Sequence, residues 1–118
     1  MADDGWPAQW LRGPLPLCVL RVLKDRPAHG YVIAAELERL GLGALGGGTL
    51  YPILGRLHRD GLLTAEWTAG DGGPGRKVYA LTDVGVQELD VQAERWRRFA
   101  RITSGIASPV AGQAGEQR

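Results

Sequence analysis

The sequence predicts an α+β, mainly α domain, and three observations carry that prediction. Apolar residues recur at helical spacing in three separate segments before residue 61. Two segments of period-2 alternation then flank a glycine-rich turn at residues 70–75. One long helical pattern opens at Thr82 and occupies most of the remaining chain. At 118 residues the chain is long enough for one domain with its own core.

Residues 1–10 show no repeating pattern and read as a flexible arm. Trp6 and Trp10 within it are spaced to pack on the core or on a second subunit. From Pro14 to Lys24, Leu15, Cys18, Val19, Val22 and Leu23 share a helical face, with Arg21 and Lys24 off it. Cys18 lies inside that stripe and reads as a small buried hydrophobe rather than a redox sensor. Arg26-Pro27 breaks the helix. A second helix opens at His29-Gly30-Tyr31, turns on Tyr31, Ala34, Ala35 and Leu37 or Glu38, and ends near Leu40. Gly41 to Gly48 is a connector. It lacks the Gly-Lys-Ser/Thr ending that places a lysine on phosphates.

The third helix is the most informative. Thr49 is the expected N-cap, which puts Pro52 in the first turn, where its missing N–H costs little. Leu50, Leu54 and Leu57 fall at i, i+4 and i+7 and form a buried stripe. Tyr51, Gly55, Arg56 and Arg59 are left on other sides, and Gly61 supplies a left-handed residue to end the helix. A free face with a hydroxyl, a phenol and guanidinium groups suits a DNA major groove.

Leu63, Ala65 and Trp67 alternate with Thr64, Glu66 and Thr68, and Val78, Ala80 and Thr82 alternate with Lys77, Tyr79 and Leu81. The intervening turn formally matches G-x-G-x-x-G. A dinucleotide site needs those glycines between a strand and a helix, whereas here a strand follows. Thr82 and Asp83 cap the last helix, which runs to about Thr103, roughly 33 Å. Val86, Leu89, Ala93, Trp96 and Ala100 form one apolar seam on it, and Phe99, Ile102 and Ile106 form another. Two seams predict packing on the domain itself and on another chain, with Leu89, Ala93, Trp96 and Ala100 at a homodimer interface. Arg95, Arg97, Arg98 and Arg101 around them read as a solvated face. The resulting organisation is an arm (1–10), a DNA-binding domain (11–82), a dimerisation helix (83–106) and a disordered tail (107–118).

Three helices, a hairpin and a long helix is the order of a winged helix-turn-helix. Arg76 and Lys77 sit at the wing and, with Arg56 and Arg59, make a sparse basic surface. The net charge of +1 carries no general polyanion signal, so DNA binding has to rest on that local patch. The single cysteine excludes an internal disulfide and a multi-cysteine metal site. His29 and His58 are the two histidines, and no nucleophilic, paired-carboxylate or metal-ligand constellation accompanies them, so no enzyme activity, metal or cofactor is expected. There is no run long and apolar enough for a transmembrane helix, and Asp3 and Asp4 stand where a signal peptide needs positive charge. A cytoplasmic protein is expected.

These residues resemble the PadR family of transcriptional regulators over about residues 11–103. The resemblance is carried by His29-Gly30-Tyr31, by Gly48-Thr49-Leu50-Tyr51-Pro52 with Arg56-Leu57 and Asp60-Gly61-Leu62, and by Gly75-Arg76-Lys77-Val78-Tyr79-Ala80-Leu81-Thr82 with Gly85. The single terminal helix resembles the short subfamily. The resemblance implies a homodimeric regulator, usually a repressor, on a palindromic operator. By position it implies DNA contacts from Thr49, Tyr51 and Arg56, wing contacts from Arg76 and Lys77, and a structural role for His29 and Tyr31. Some members of the family bind planar apolar compounds between the terminal helices, so the resemblance makes Trp96 and Phe99 either contacts of such an effector or side chains that simply fill the dimer interface. The chain departs from the family at Gly46-Gly47-Gly48, where a polar residue is common, and at Gly55. There a basic or polar residue is common, and glycine costs about 1 kcal/mol in helix propensity. The alternative readings are a winged-helix module that binds protein, and a DNA-binding regulator without an effector.

Overall fold

Leucine stripes become buried helix faces where the spacing predicts them. The computed structural model describes residues 5–70 and 75–108. The expectations for the centre of the turn and for the tail therefore lie outside the described residues. The elements are α1 (Ala8–Arg12), α2 (Leu15–Asp25), β1 (Ala28–His29), α3 (Gly30–Leu37), α4 (Gly47–Arg59), β2 (Leu63–Thr68), β3 (Arg76–Leu81) and α5 (Asp83–Ala107). The third helix predicted from the sequence is α4.

One core joins them. Leu15, Val19, Leu20 and Leu23 of α2 meet Ile33 and Leu37 of α3 and the Leu50, Leu54 and Leu57 stripe of α4. Leu63, Tyr79 and Leu89 bring the hairpin and α5 onto the same cluster. Cys18 is half-buried against it, and that burial pushes its thiol pKa up, which suits a packing role. Among the described residues no helix is long and apolar enough to cross a membrane.

The strands pair antiparallel in the order β1-β3-β2. Leu63 faces Leu81, Ala65 faces Tyr79 and Trp67 faces Lys77, so one face of the hairpin runs from apolar at its base to exposed at its tip. β1 is an addition to the elements predicted from the sequence. It has two residues, Ala28 opposite Tyr79 and His29 opposite Val78, too few for any alternation to register.

Further expectations change. The segment before Gly13 contains α1, and Trp6 stacks on Trp10 at 6.1 Å while its indole N–H donates to the Gly41 carbonyl at 2.9 Å. Gly41 can face it because a π-helical turn, Glu38–Leu42, carries α3 onward to a residue at φ 112° that only glycine adopts readily. The N-cap of α4 is Gly46, not Thr49: the amides of Thr49 and Leu50 both donate to the Gly46 carbonyl. With extended φ and ψ, Gly46 turns the chain into the helix using backbone alone, and Pro52 falls in the second turn. There it lacks the N–H that would otherwise bond back to the Gly48 carbonyl. Gly61, at φ 80°, ends the segment as expected.

α5 begins as predicted, the Thr82 hydroxyl accepting from the Gly85 amide at 2.9 Å, and it continues past Thr103 to Ala107. Leu89, expected at an interface with a second chain, is only 3% exposed and packs in the chain's own core, which leaves it no surface for that contact. Ala93, Trp96 and Ala100 are half-buried, and Phe99, Ile102 and Ile106 are exposed.

Candidate nucleic-acid interface

Burying Leu50, Leu54 and Leu57 turns the opposite side of α4 outward. Thr49, Tyr51, Arg56, His58 and Arg59 are all exposed. Gly55 lies among them, and a Cβ there would stand 3.5 Å from a guanidinium nitrogen of Arg59. Arg59 thus folds back over the glycine and partly fills the space that a larger residue would take.

Tyr51 is held more closely than helix position alone requires. A Cβ on Gly30 would lie 2.6 Å from the Tyr51 hydroxyl oxygen and 2.7 Å from its ring. The phenol therefore rests on the bare backbone at the start of α3, and the glycine of His29-Gly30-Tyr31 is what admits it.

The hairpin brings its cations to the same place. Arg76 and Lys77 open β3 and are both exposed. The Lys77 ammonium lies 5.6 Å from the centre of the Trp67 ring across the hairpin. Arg76 donates to the Tyr31 hydroxyl at 2.7 Å, and its guanidinium carbon is 4.7 Å from the centre of that ring. His29 stacks on Tyr31 at 5.9 Å with ring planes 5° apart, and its Nδ1 sits 3.3 Å from the Lys77 carbonyl oxygen. Tyr31, Tyr51, Trp67, Arg76, Lys77 and Tyr79 line one groove of about 470 Å³ between the start of α4 and the wing. Burial raises the Tyr79 phenol pKa, with a smaller push from Tyr51.

The structure thus brings Tyr51, Arg76 and Lys77 together at one groove and leaves Thr49, Arg56 and Arg59 exposed along α4. The tie from Tyr31 to Arg76 is not foreseen from the sequence. The two residues are 45 positions apart, and only their shared place in the His29-Gly30-Tyr31 and Gly75-Arg76-Lys77 motifs hints at it.

Trp96 and Phe99 meet elsewhere, with ring centres 5.3 Å apart. They line a second groove, of about 420 Å³, with Leu17, Leu20, Leu57 and Leu62.

Comparison with known proteins gives a consistent result. A profile of the transcriptional regulator PadR-like family matches residues 19–91, more than half of the chain. Transcriptional regulator Rv3488 of Mycobacterium tuberculosis is 36% identical over 104 residues, covering 88% of this chain and 95% of the relative. A PadR family transcriptional regulator from Eggerthella lenta superposes with a TM-score of 0.75 at 31% identity, over 86% of this chain and 88% of that one. A PadR-like transcriptional regulator from Bacillus cereus gives 0.72 at 27% identity, over 86% and 98%.

Proposed function

The chain belongs to the PadR-like family of transcriptional regulators, and from that premise we propose that it is a homodimeric repressor of a palindromic DNA operator. Its family and relatives are regulators rather than enzymes. α4 enters the major groove with Thr49, Tyr51, Arg56 and Arg59, while Arg76 and Lys77 of the β2–β3 wing hold the backbone alongside. The observation that carries this reading is the single groove bordered by Tyr51 of the helix and both wing cations. It supports the reading because the side chains proposed to read bases and those proposed to hold phosphates border one groove. The protein acts in the cytoplasm, where its operator is.

The dimer forms through α5. Phe99, Ile102 and Ile106 expose 54%, 58% and 76% of their surface on its outer half, next to half-buried Ala93, Trp96 and Ala100. Sedimentation at micromolar concentration should give a dimer, and a monomer would contradict this arrangement. A planar apolar effector fits the groove at Trp96 and Phe99, whose volume falls within the range of small-molecule sites. Binding there would shift α5 and so the spacing of the two reading heads.

The test is fluorescence anisotropy of a labelled duplex from the gene's own upstream region against a scrambled duplex, at two salt concentrations. Tight, salt-sensitive binding with preference for the native duplex is the expected result. Equal and weak binding to both would sink the operator reading.

Gly30→Ala gives a narrower check. The new methyl would push the Tyr51 ring off its seat at a rotamer cost worth roughly two- to tenfold in binding. Native-duplex affinity should fall by that factor while the melting temperature moves little, since the ring that yields is half exposed. Unchanged affinity would show that Tyr51 is not a contact.

A further inference from the structure

Arg21, Arg39 and Arg97 are held by Asp25, Glu36 and Glu94, one helical turn away. A carboxylate fixes a guanidinium but cancels its charge for any anion that arrives later. Arg76 is fixed differently. Its partner is the neutral phenol of Tyr31, which accepts from Nη1 and lies under the guanidinium plane. Among the described residues it pairs with no carboxylate. Its orientation is set and its charge is unspent.

The phenol is itself well supported. Tyr31 is the second residue of α3, its backbone is held in the helix, and His29 stacks on it. A tyrosine oxygen that accepts one hydrogen bond still has its own O–H to donate, and the accepted bond polarises it toward an anionic oxygen. Arg76 retains four of its five N–H donors. Both residues line the groove between the wing and α4.

Building on the DNA-binding reading above, we infer that Tyr31 and Arg76 act as one phosphodiester-binding unit. Tyr31 is the positioning residue that presets the wing cation and adds a hydroxyl donor of its own. An exposed arginine normally loses its rotamer freedom when it meets a phosphate. Here that loss has already occurred in the free protein, which favours affinity without adding a charge. The contact also bridges α3 and β3, so the wing reaches DNA in register with the helix-turn-helix.

The experiment is a double-mutant cycle on operator binding, read as affinity and as the slope of log affinity against log salt. The variants are Tyr31→Phe, Arg76→Ala and the pair, each checked for folding by thermal melting. Tyr31→Phe keeps the stacking ring and removes only the hydroxyl. It should weaken binding by about three- to tenfold and leave the salt slope unchanged, because no cation is lost. Arg76→Ala should lower the slope by about two per dimer, one phosphate per protomer. The double variant should lose less than the sum of the two single losses, since most of the hydroxyl's effect acts through the arginine. Additive losses, or wild-type affinity for Tyr31→Phe, would overturn the inference and leave the operator reading standing. So would an Arg76→Ala variant with unchanged slope. Wild-type protein that shows no salt-sensitive preference for the native duplex would remove the operator reading and this inference together.

Discussion

Gly85→Ala should destabilise this protein about as much as truncating a core leucine would. A Cβ at Gly85 would stand 2.2 Å from the Leu62 carbonyl oxygen and 3.1 Å from a methyl of Leu81. The carbonyl cannot step aside, because it accepts from the Thr82 amide at 3.0 Å. Thr82 in turn donates its hydroxyl proton to the Gly61 carbonyl at 2.8 Å while accepting from the Gly85 amide. A methyl group at this point therefore opens the join between α4, β2 and the first turn of α5, and with it the N-cap. Losing a cap costs about 1 kcal/mol, and overpacking against fixed backbone adds about 1–3 kcal/mol. A total near 3 kcal/mol is a large share of the roughly 5–15 kcal/mol that holds a domain of this size. The melting temperature should fall by about 10–20 °C. Gly48→Ala is the control: it sits in α4 with nothing within 4 Å of its Cβ position. There the helix should gain up to about 1 kcal/mol. A Gly85→Ala melt within ~2–3 °C of wild type would refute the close approach.

Gly85 also marks the limit of what a sequence can disclose. Its place after Thr82 is legible as part of a capped helix start. That it must be glycine depends on Leu62, more than twenty positions earlier, and no local pattern carries that. The same division holds elsewhere. The Leu50, Leu54 and Leu57 stripe is legible because burial itself imposes the spacing. The two strands of the wing are legible because one face of them is buried at the base. α1 has five residues and none of them buried, so it leaves no stripe to read. β1 exists because Tyr79 and Val78 are there to pair with it. At Thr49 a favourable capping side chain misleads, because three glycines let the backbone turn earlier. At Leu89 the seam is real, but which side of the helix meets its own core depends on how α5 crosses α2. The candidate site divides the same way. The exposed side chains of α4 and the two wing cations follow from residue type and spacing, whereas the seating of Tyr51 on Gly30 and of Arg76 on Tyr31 are long-range facts.

Removing Arg56, Arg76 and Lys77 together, as alanines, should abolish operator recognition while leaving a folded dimer. All three are exposed and none belongs to the core, so the loss of stability should be small. The net charge of the chain is only +1, so general attraction to DNA is weak and these few cations bear the electrostatic part of binding. Each phosphate contact contributes about 0.9 to the salt slope, so the loss of two wing contacts per protomer should flatten it by between about three and four per dimer. Affinity for the native duplex at moderate salt should then drop at least a hundredfold, to the level of the scrambled duplex. Arg21→Ala separates charge from position. It removes one positive charge from α2, where Arg21 already pairs with Asp25 at 2.9 Å, and should change affinity less than twofold. The comparison also decides between the operator reading and a winged helix that docks on protein. A protein partner held by the exposed apolar face of α5 would be bound as well by the triple variant as by wild type. If native-duplex affinity and its salt slope survive the loss of all three cations, DNA is held by some other surface, and the groove between Tyr51 and the wing is not where this regulator reads its operator.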